Sequence, residues 1–188
     1  LYTMDKKSLS YIEISKENLI HNIKQFRGLI GKNIKLIAVI KSNAYGHGDF
    51  EIAKIASSYV DYFQVDSIEE AERINKITKK QILILGYLND DGIRRALKIN
   101  AIITAFDLVH LFKINHISLV LKKKIKVHLA IDSYLGREGI MPILLENILK
   151  ENNENNIVIG IISISDVVKA IIEIQKDTIN HLNSYISQ

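Results

Sequence analysis

The sequence predicts an α/β fold in which parallel strands alternate with helices. Three observations carry that reading: short runs rich in Ile, Val and Leu, amphipathic stretches between them, and the persistence of this alternation through nearly all of the 188 residues. A run that is apolar at every position suits a strand covered on both faces, because a strand with one wet face would alternate apolar with polar residues.

Taken in order, Leu19, Ile20, Ile23, Phe26 and Ile30 recur at spacings of three and four and predict a helix with a core-facing stripe. Lys35 to Lys41 reads as the first strand and Tyr62 to Val65 as the second. Ser67-Ile68-Glu69-Glu70 has the form of a capping box, so a helix through Ala71 and Ile74 should start there. Ile82 to Leu85 is the third strand, and Asp90-Asp91-Gly92 reads as a turn and helix start. Ala101 to Thr104, Val127 to Ile131 and Ile157 to Ile162 complete six strands. The polar Lys150 to Asn156 is a loop, and Val168, Ile171, Ile172, Gln175, Ile179 and Leu182 predict a last helix. With no linker and no internal repeat, residues 1–188 read as one barrel-type domain. A closed parallel barrel has eight strands and about 250 residues, so this chain falls short by about two units. It is a fragment, or is completed by another chain, or forms an open doubly wound sheet whose edges need cover.

Composition narrows the function classes. With 47% hydrophobic and 24% charged residues the chain belongs among soluble globular proteins. Its net charge of +4 is spread out, and the one cluster, Lys122, Lys123, Lys124 and Lys126, reads as a solvated face and not as a nucleic-acid site. The lack of cysteine excludes disulfides and thiol nucleophiles. The longest apolar stretch, Ile157 to Ile164, is far below the roughly 20 residues of a membrane span, and the start around Asp5-Lys6-Lys7 lacks a signal peptide's apolar core. A cytoplasmic location without membrane contact is the expectation. His21, His110, His116 and His181 show no metal-ligand spacing, so they are expected as surface or satisfied core residues and no metal is expected.

The first strand ends in Lys41, followed by Ser42-Asn43-Ala44-Tyr45-Gly46-His47-Gly48. Taken alone, a strand-terminal lysine is most simply a solvated one. In parallel α/β folds, however, active sites gather at the carboxyl ends of strands. A partly desolvated lysine there can attack an aldehyde as the free amine. Gly46 and Gly48 permit a tight turn, and His47 suits a role in holding it.

The segment from Ala38 to Gly48 resembles the cofactor-lysine signature of the alanine racemase family, an apolar strand ending in Lys-x-Asn-Ala-Tyr-Gly-His-Gly. Tyr11 to Ile14 with Leu19 and Asn22 resembles the family's opening, and Ile82 to Gly86 its third strand. The resemblance runs from about Tyr11 to about Gly160 and implies the family's N-terminal (β/α)8 TIM-barrel domain, here with about six strands. It implies pyridoxal 5'-phosphate as cofactor, joined to Lys41 as a Schiff base, with Lys41 also the base on one substrate face. Tyr45 would lie near the cofactor, toward its phosphate, and Leu85 beside the ring. Interconversion of L- and D-alanine, a cell-wall precursor, and a homodimer follow by the same analogy.

Further on, Asp132-Ser133-Tyr134-Leu135-Gly136-Arg137-Glu138-Gly139 resembles the family's Asp-Thr-Gly-Met-x-Arg-x-Gly. Arg137 would then approach the cofactor's ring oxygen. Ala130 stands where many members carry a lysine that orients this arginine, Tyr134 replaces a turn glycine, and Ile164 replaces a histidine that lies against the ring. The family's C-terminal β domain, with the tyrosine that serves the opposite face, has no counterpart in these residues. A catalytically impaired cofactor-binding remnant, or a binding protein akin to the pyridoxal-phosphate homeostasis proteins, is therefore the alternative to an active racemase.

Overall fold

The computed structural model describes residues 11–132, 134, 136, 138–145 and 148, and the backbone of 158–162. In chain order the elements are α1 (Lys16–Ile30), β1 (Ile37–Val39), α2 (Lys41–Tyr45), α3 (Asp49–Ala56), β2 (Tyr62–Val65), α4 (Ile68–Asn75), β3 (Gln81–Ile84), α5 (Asp90–Lys98), β4 (Ile102–Ala105), α6 (Leu108–Val120), β5 (Lys126–Ala130) and β6 (Val158–Ile162). They fall into two compact units, one through Gly86 with residues 99–101, the other formed by residues 87–98 and from Ile102 onward. The predicted loop at Lys150 to Asn156 and the last helix from Val168 lie outside the described residues.

In the first unit β1, β2 and β3 pair in parallel, with Val39 opposite Gln64 and Gln64 opposite Leu83. Phe63, Val65, Ile82, Leu83 and Ile84 are buried, as strands covered by helices require. The capping box forms as predicted: the Ser67 hydroxyl accepts from Glu70 N at 3.2 Å while the Glu70 carboxylate turns back to the Ser67 amide. The stripe on α1 is a correction. No residue of α1 is buried, Leu19, Ile20, Ile23 and Ile30 are only half-buried, and Phe26 is 60% exposed. Polar bonds tie this helix down instead. Arg27 donates to the Ile34 carbonyl at 2.7 Å and to Asp61, whose carboxylate also accepts from Leu36 N at 2.8 Å. The Leu36 amide first, and then Arg27, hold the Asp61 carboxyl below its usual value.

In the second unit β4, β5 and β6 are likewise parallel, with Thr104 opposite His128 and His128 opposite Gly160. Ile93, Ile103, Leu111, Ile114, Ile117, Val127 and Leu129 make its core. Asp107 caps α6 by accepting from His110 N at 2.7 Å. The His110 ring is fully buried, donates from Nε2 to the Leu88 carbonyl at 3.1 Å, and stacks on Tyr87 with centroids 4.2 Å apart. It is the core member of the two readings open to it, with Nε2 bonded and Nδ1 left without a partner.

Candidate functional site

The site is built at the carboxyl ends of β1, β2 and β3. Val39 pairs with Gln64 and Gln64 with Leu83, so past the strand ends Asp66 and Leu85 continue the alternation, while Lys41 opens α2 beside Asp66. The ladder itself continues past the strands, with Ile40 N donating to Gln64 O at 2.9 Å and Leu85 N to Val65 O at 2.8 Å. Lys41 Nζ lies 3.7 Å from Asp66 Oδ1, and its side chain is 31% exposed. The side chain is thus partly covered and partly open to solvent. Leu85 is half-buried. Gly86 N donates to Asp66 O at 3.0 Å, and a side chain at Gly86 would overlap that carbonyl. The approach of the two strand ends therefore needs glycine.

At its carboxyl end β1 is shorter than predicted, because the chain leaves the extended region at Ile40, with ψ of 24°, and enters a left-handed turn from Ser42. Ser42, Asn43 and Ala44 have φ of 52°, 56° and 50° with ψ between 46° and 50°, and Tyr45 has φ of 54°. Glycines were expected to supply the turn, and Gly46 and Gly48 do have positive φ, but four residues bearing side chains take the greater part. Such residues are disfavoured there by about 1–2 kcal/mol each, with asparagine the most tolerant. Bonds within the turn offset part of that cost: Ala44 N to Ile40 O at 2.9 Å, Gly48 N to Asn43 O at 3.0 Å, and His47 Nδ1 to Ala44 O at 2.9 Å. His47 thus holds the turn, as read from the sequence. Tyr45 projects outward, 61% exposed.

Neighbouring helices hold the turn from outside. Asn43 Oδ1 accepts from Asp49 N at 3.0 Å, and Asp49 in turn accepts from Arg73 at 2.8 Å. Glu70, buried on α4, accepts from Ser42 N at 2.7 Å through one oxygen and from Asp66 N at 2.8 Å through the other. Sequence reading assigned Glu70 only to a helix cap and passed over Asp66, Asn43 and Arg73. A capping-box glutamate was the one available signal, and nothing in it points to Ser42.

The second constellation lies in the other unit. Arg137 falls outside the described residues. Around it, Ile140 N donates to Ala130 O at 2.7 Å and Asp132 N to Ile140 O at 3.1 Å, so the segment folds back onto the end of β5. Gly139 has φ of 139°, and a side chain there would strike the backbone at Asp132 and Ile131. Asp132 and Ala130 are buried, and Tyr134 is 75% exposed. Ile164 also lies outside the described residues. Among the described residues no group of His, Asp and Glu could hold a metal ion, and no helix is long and apolar enough to cross a membrane.

Comparison with known proteins gives a consistent outcome. A family model for the alanine racemase N-terminal domain matches residues 14–182. Alanine racemase 1 of Caldanaerobacter subterraneus subsp. tengcongensis is 38% identical over 130 residues, which is 68% of this chain and 34% of that protein. Alanine racemase of Francisella philomiragia subsp. philomiragia is 35% identical over 132 residues, 70% of this chain and 36% of that protein. The chain thus spans about a third of the length of the curated relatives it matches. Among solved structures, alanine racemase of Clostridium difficile 630 superposes with a TM-score of 0.71 at 32% identity, covering 78% of this chain and 40% of that one. The parallel βα units are those of the racemase barrel, and the chain belongs to the alanine racemase family through its N-terminal domain.

Proposed function

We propose that this chain is the cofactor-bearing part of a pyridoxal-phosphate-dependent amino-acid racemase, with Lys41 as its covalent attachment point and alanine as substrate. One observation carries the reading: the partly exposed Lys41 side chain stands just past the carboxyl end of β1, with its amine beside Asp66, at the start of a turn that costs folding energy to maintain. A half-covered lysine that water and an aldehyde can both reach fits the group, and Leu85 offers an apolar surface for a planar ring. When bound, pyridoxal phosphate supplies an electron sink that stabilises the charge left by loss of an α-proton.

The chain's own residues bind and place. Lys41 anchors the cofactor and takes or returns a proton at Nζ, Asp66 supplies a carboxylate 3.7 Å from that nitrogen, and Leu85 excludes water from one side. Tyr45, outward-facing here, would close toward the phosphate, and Arg137 would meet the ring oxygen. Racemisation needs a proton carrier on each face, so a second one must come from other residues of the whole protein or from a partner copy in a homodimer. A cytoplasmic enzyme is the reading that goes with a small soluble amino acid.

The second reading, a cofactor-binding protein without racemase activity, is favoured by Ala130. Its buried methyl group stands on β5 where a lysine would orient Arg137, and it has no polar atom to do so. Incubation with pyridoxal phosphate followed by borohydride and peptide mass spectrometry separates both readings from neither. Label on Lys41, lost in Lys41→Ala, supports cofactor attachment, and label elsewhere or none refutes it. Optical rotation of L-alanine in the natural full-length protein then decides between racemase and binder.

A further inference from the structure

We propose that Glu70 is the positioning residue for Lys41, its buried carboxylate fixing the backbone on the far side of the lysine together with the backbone of Asp66. The proposal rests on Lys41 being the cofactor lysine and deepens it by naming what aims the amine. A capping box uses one carboxylate oxygen, turned back to the cap amide. Here that oxygen, Oε2, is 3.3 Å from Ser67 N but 2.8 Å from Asp66 N, so its shorter bond goes to the residue whose carboxylate faces Lys41. The other oxygen, which capping leaves free, accepts from Ser42 N at 2.7 Å. Bonds to an ionised carboxylate are shorter and stronger than neutral ones, and at 9% exposure little water is at hand to replace them.

The geometry makes Lys41 the joint between two fixed points. On one side Ile40 N is held by Gln64 O, and on the other Ser42 N is held by Glu70. Ser42 is also the first of the four left-handed residues, a conformation that persists only where surroundings impose it. Arg73 lies one turn along from Glu70 on the same face of α4 and reaches Asn43 through Asp49. α4 therefore grips the turn at two successive residues, leaving the amine only its own side-chain torsions to explore.

Three variants test this. Glu70→Ala removes all three carboxylate bonds, Glu70→Gln keeps one accepting oxygen, and Ser67→Ala weakens the cap of α4 without touching the bond to Ser42. The rate at which pyridoxal phosphate and borohydride label Lys41 should fall roughly tenfold in Glu70→Ala and less in Glu70→Gln. It should stay within about twofold of the parent in Ser67→Ala, although that variant also melts at a lower temperature. Without any cofactor, amide exchange at Ser42 followed by NMR should quicken in Glu70→Ala and not in Ser67→Ala. Unchanged labelling and exchange in Glu70→Ala, or equal losses in Ser67→Ala, overturn the proposal. If the parent does not label at Lys41, the cofactor reading fails and Ser42 exchange alone decides the positioning. If Glu70→Ala does not fold, Glu70→Gln carries the same comparison.

Discussion

Residue conformation at the site departs from what side-chain chemistry prefers. Three of the four left-handed positions, Ser42, Ala44 and Tyr45, are occupied by residues with no local reason to adopt that geometry. Strain of this kind concentrates where function depends on it, and here it begins at the residue after Lys41, the proposed cofactor lysine. Ser42 is exposed and uses only its backbone in the contacts that hold the turn, so glycine there should keep every bond and relieve the crowding. Ser42→Gly is expected to stabilise the fold by about 0.5–1 kcal/mol, read as a higher urea midpoint with unchanged slope. A loss of stability would show that the turn is not strained at this position.

Beside the buried apolar faces of α4, α5 and α6, single polar bonds placed where a helix meets a strand end join the elements. α1 depends on Arg27 and Asp61, α4 on its capping box, and α6 on Asp107 and on His110 reaching the Leu88 carbonyl. The last of these responds to pH. With Nε2–H donating to Leu88, His110 Nδ1 is buried with no hydrogen-bond partner, and burial holds the ring's pKa below 6.5. Protonation would put an N–H where nothing accepts it. The unfolded chain, titrating near 6.5, takes up this proton first as pH falls, so it binds more protons than the folded chain in that window. The stabilisation is complete above 6.5, declines as pH drops toward the lowered folded value, and changes no further beneath it. Denaturant midpoints measured from about pH 8 to about pH 5 should fall. His110→Phe should flatten part of that slope, and His128, whose pKa burial also lowers, contributes in the same direction.

On the scale of the whole molecule, a ligand that binds only the folded chain must stabilise it. Pyridoxal phosphate at about 100 times its dissociation constant should add about 2.7 kcal/mol. For a chain of this size that is roughly 5–10 °C in melting temperature, and Lys41→Ala should abolish most of it. Equal shifts in parent and variant would place the interaction away from Lys41.

Much of this was legible in the chain. Five strands fell within one residue of their predicted ends and β1 is two residues shorter at each end, because an apolar run reports burial on both faces whatever the partner. The turn after Lys41 and the capping box were legible because each rests on neighbours in sequence. α1 was misjudged because its periodic stripe states what could be buried and not what covers it. Asp66 opposite Lys41, Glu70 against Ser42, and Arg73 reaching Asn43 through Asp49 join residues 24 to 28 apart or lying on different strands. Local pattern fixes the backbone's periodicity and singles out Lys41 as the candidate amine. Which carboxylate steadies that amine depends on strand register and helix docking, which only the folded chain decides.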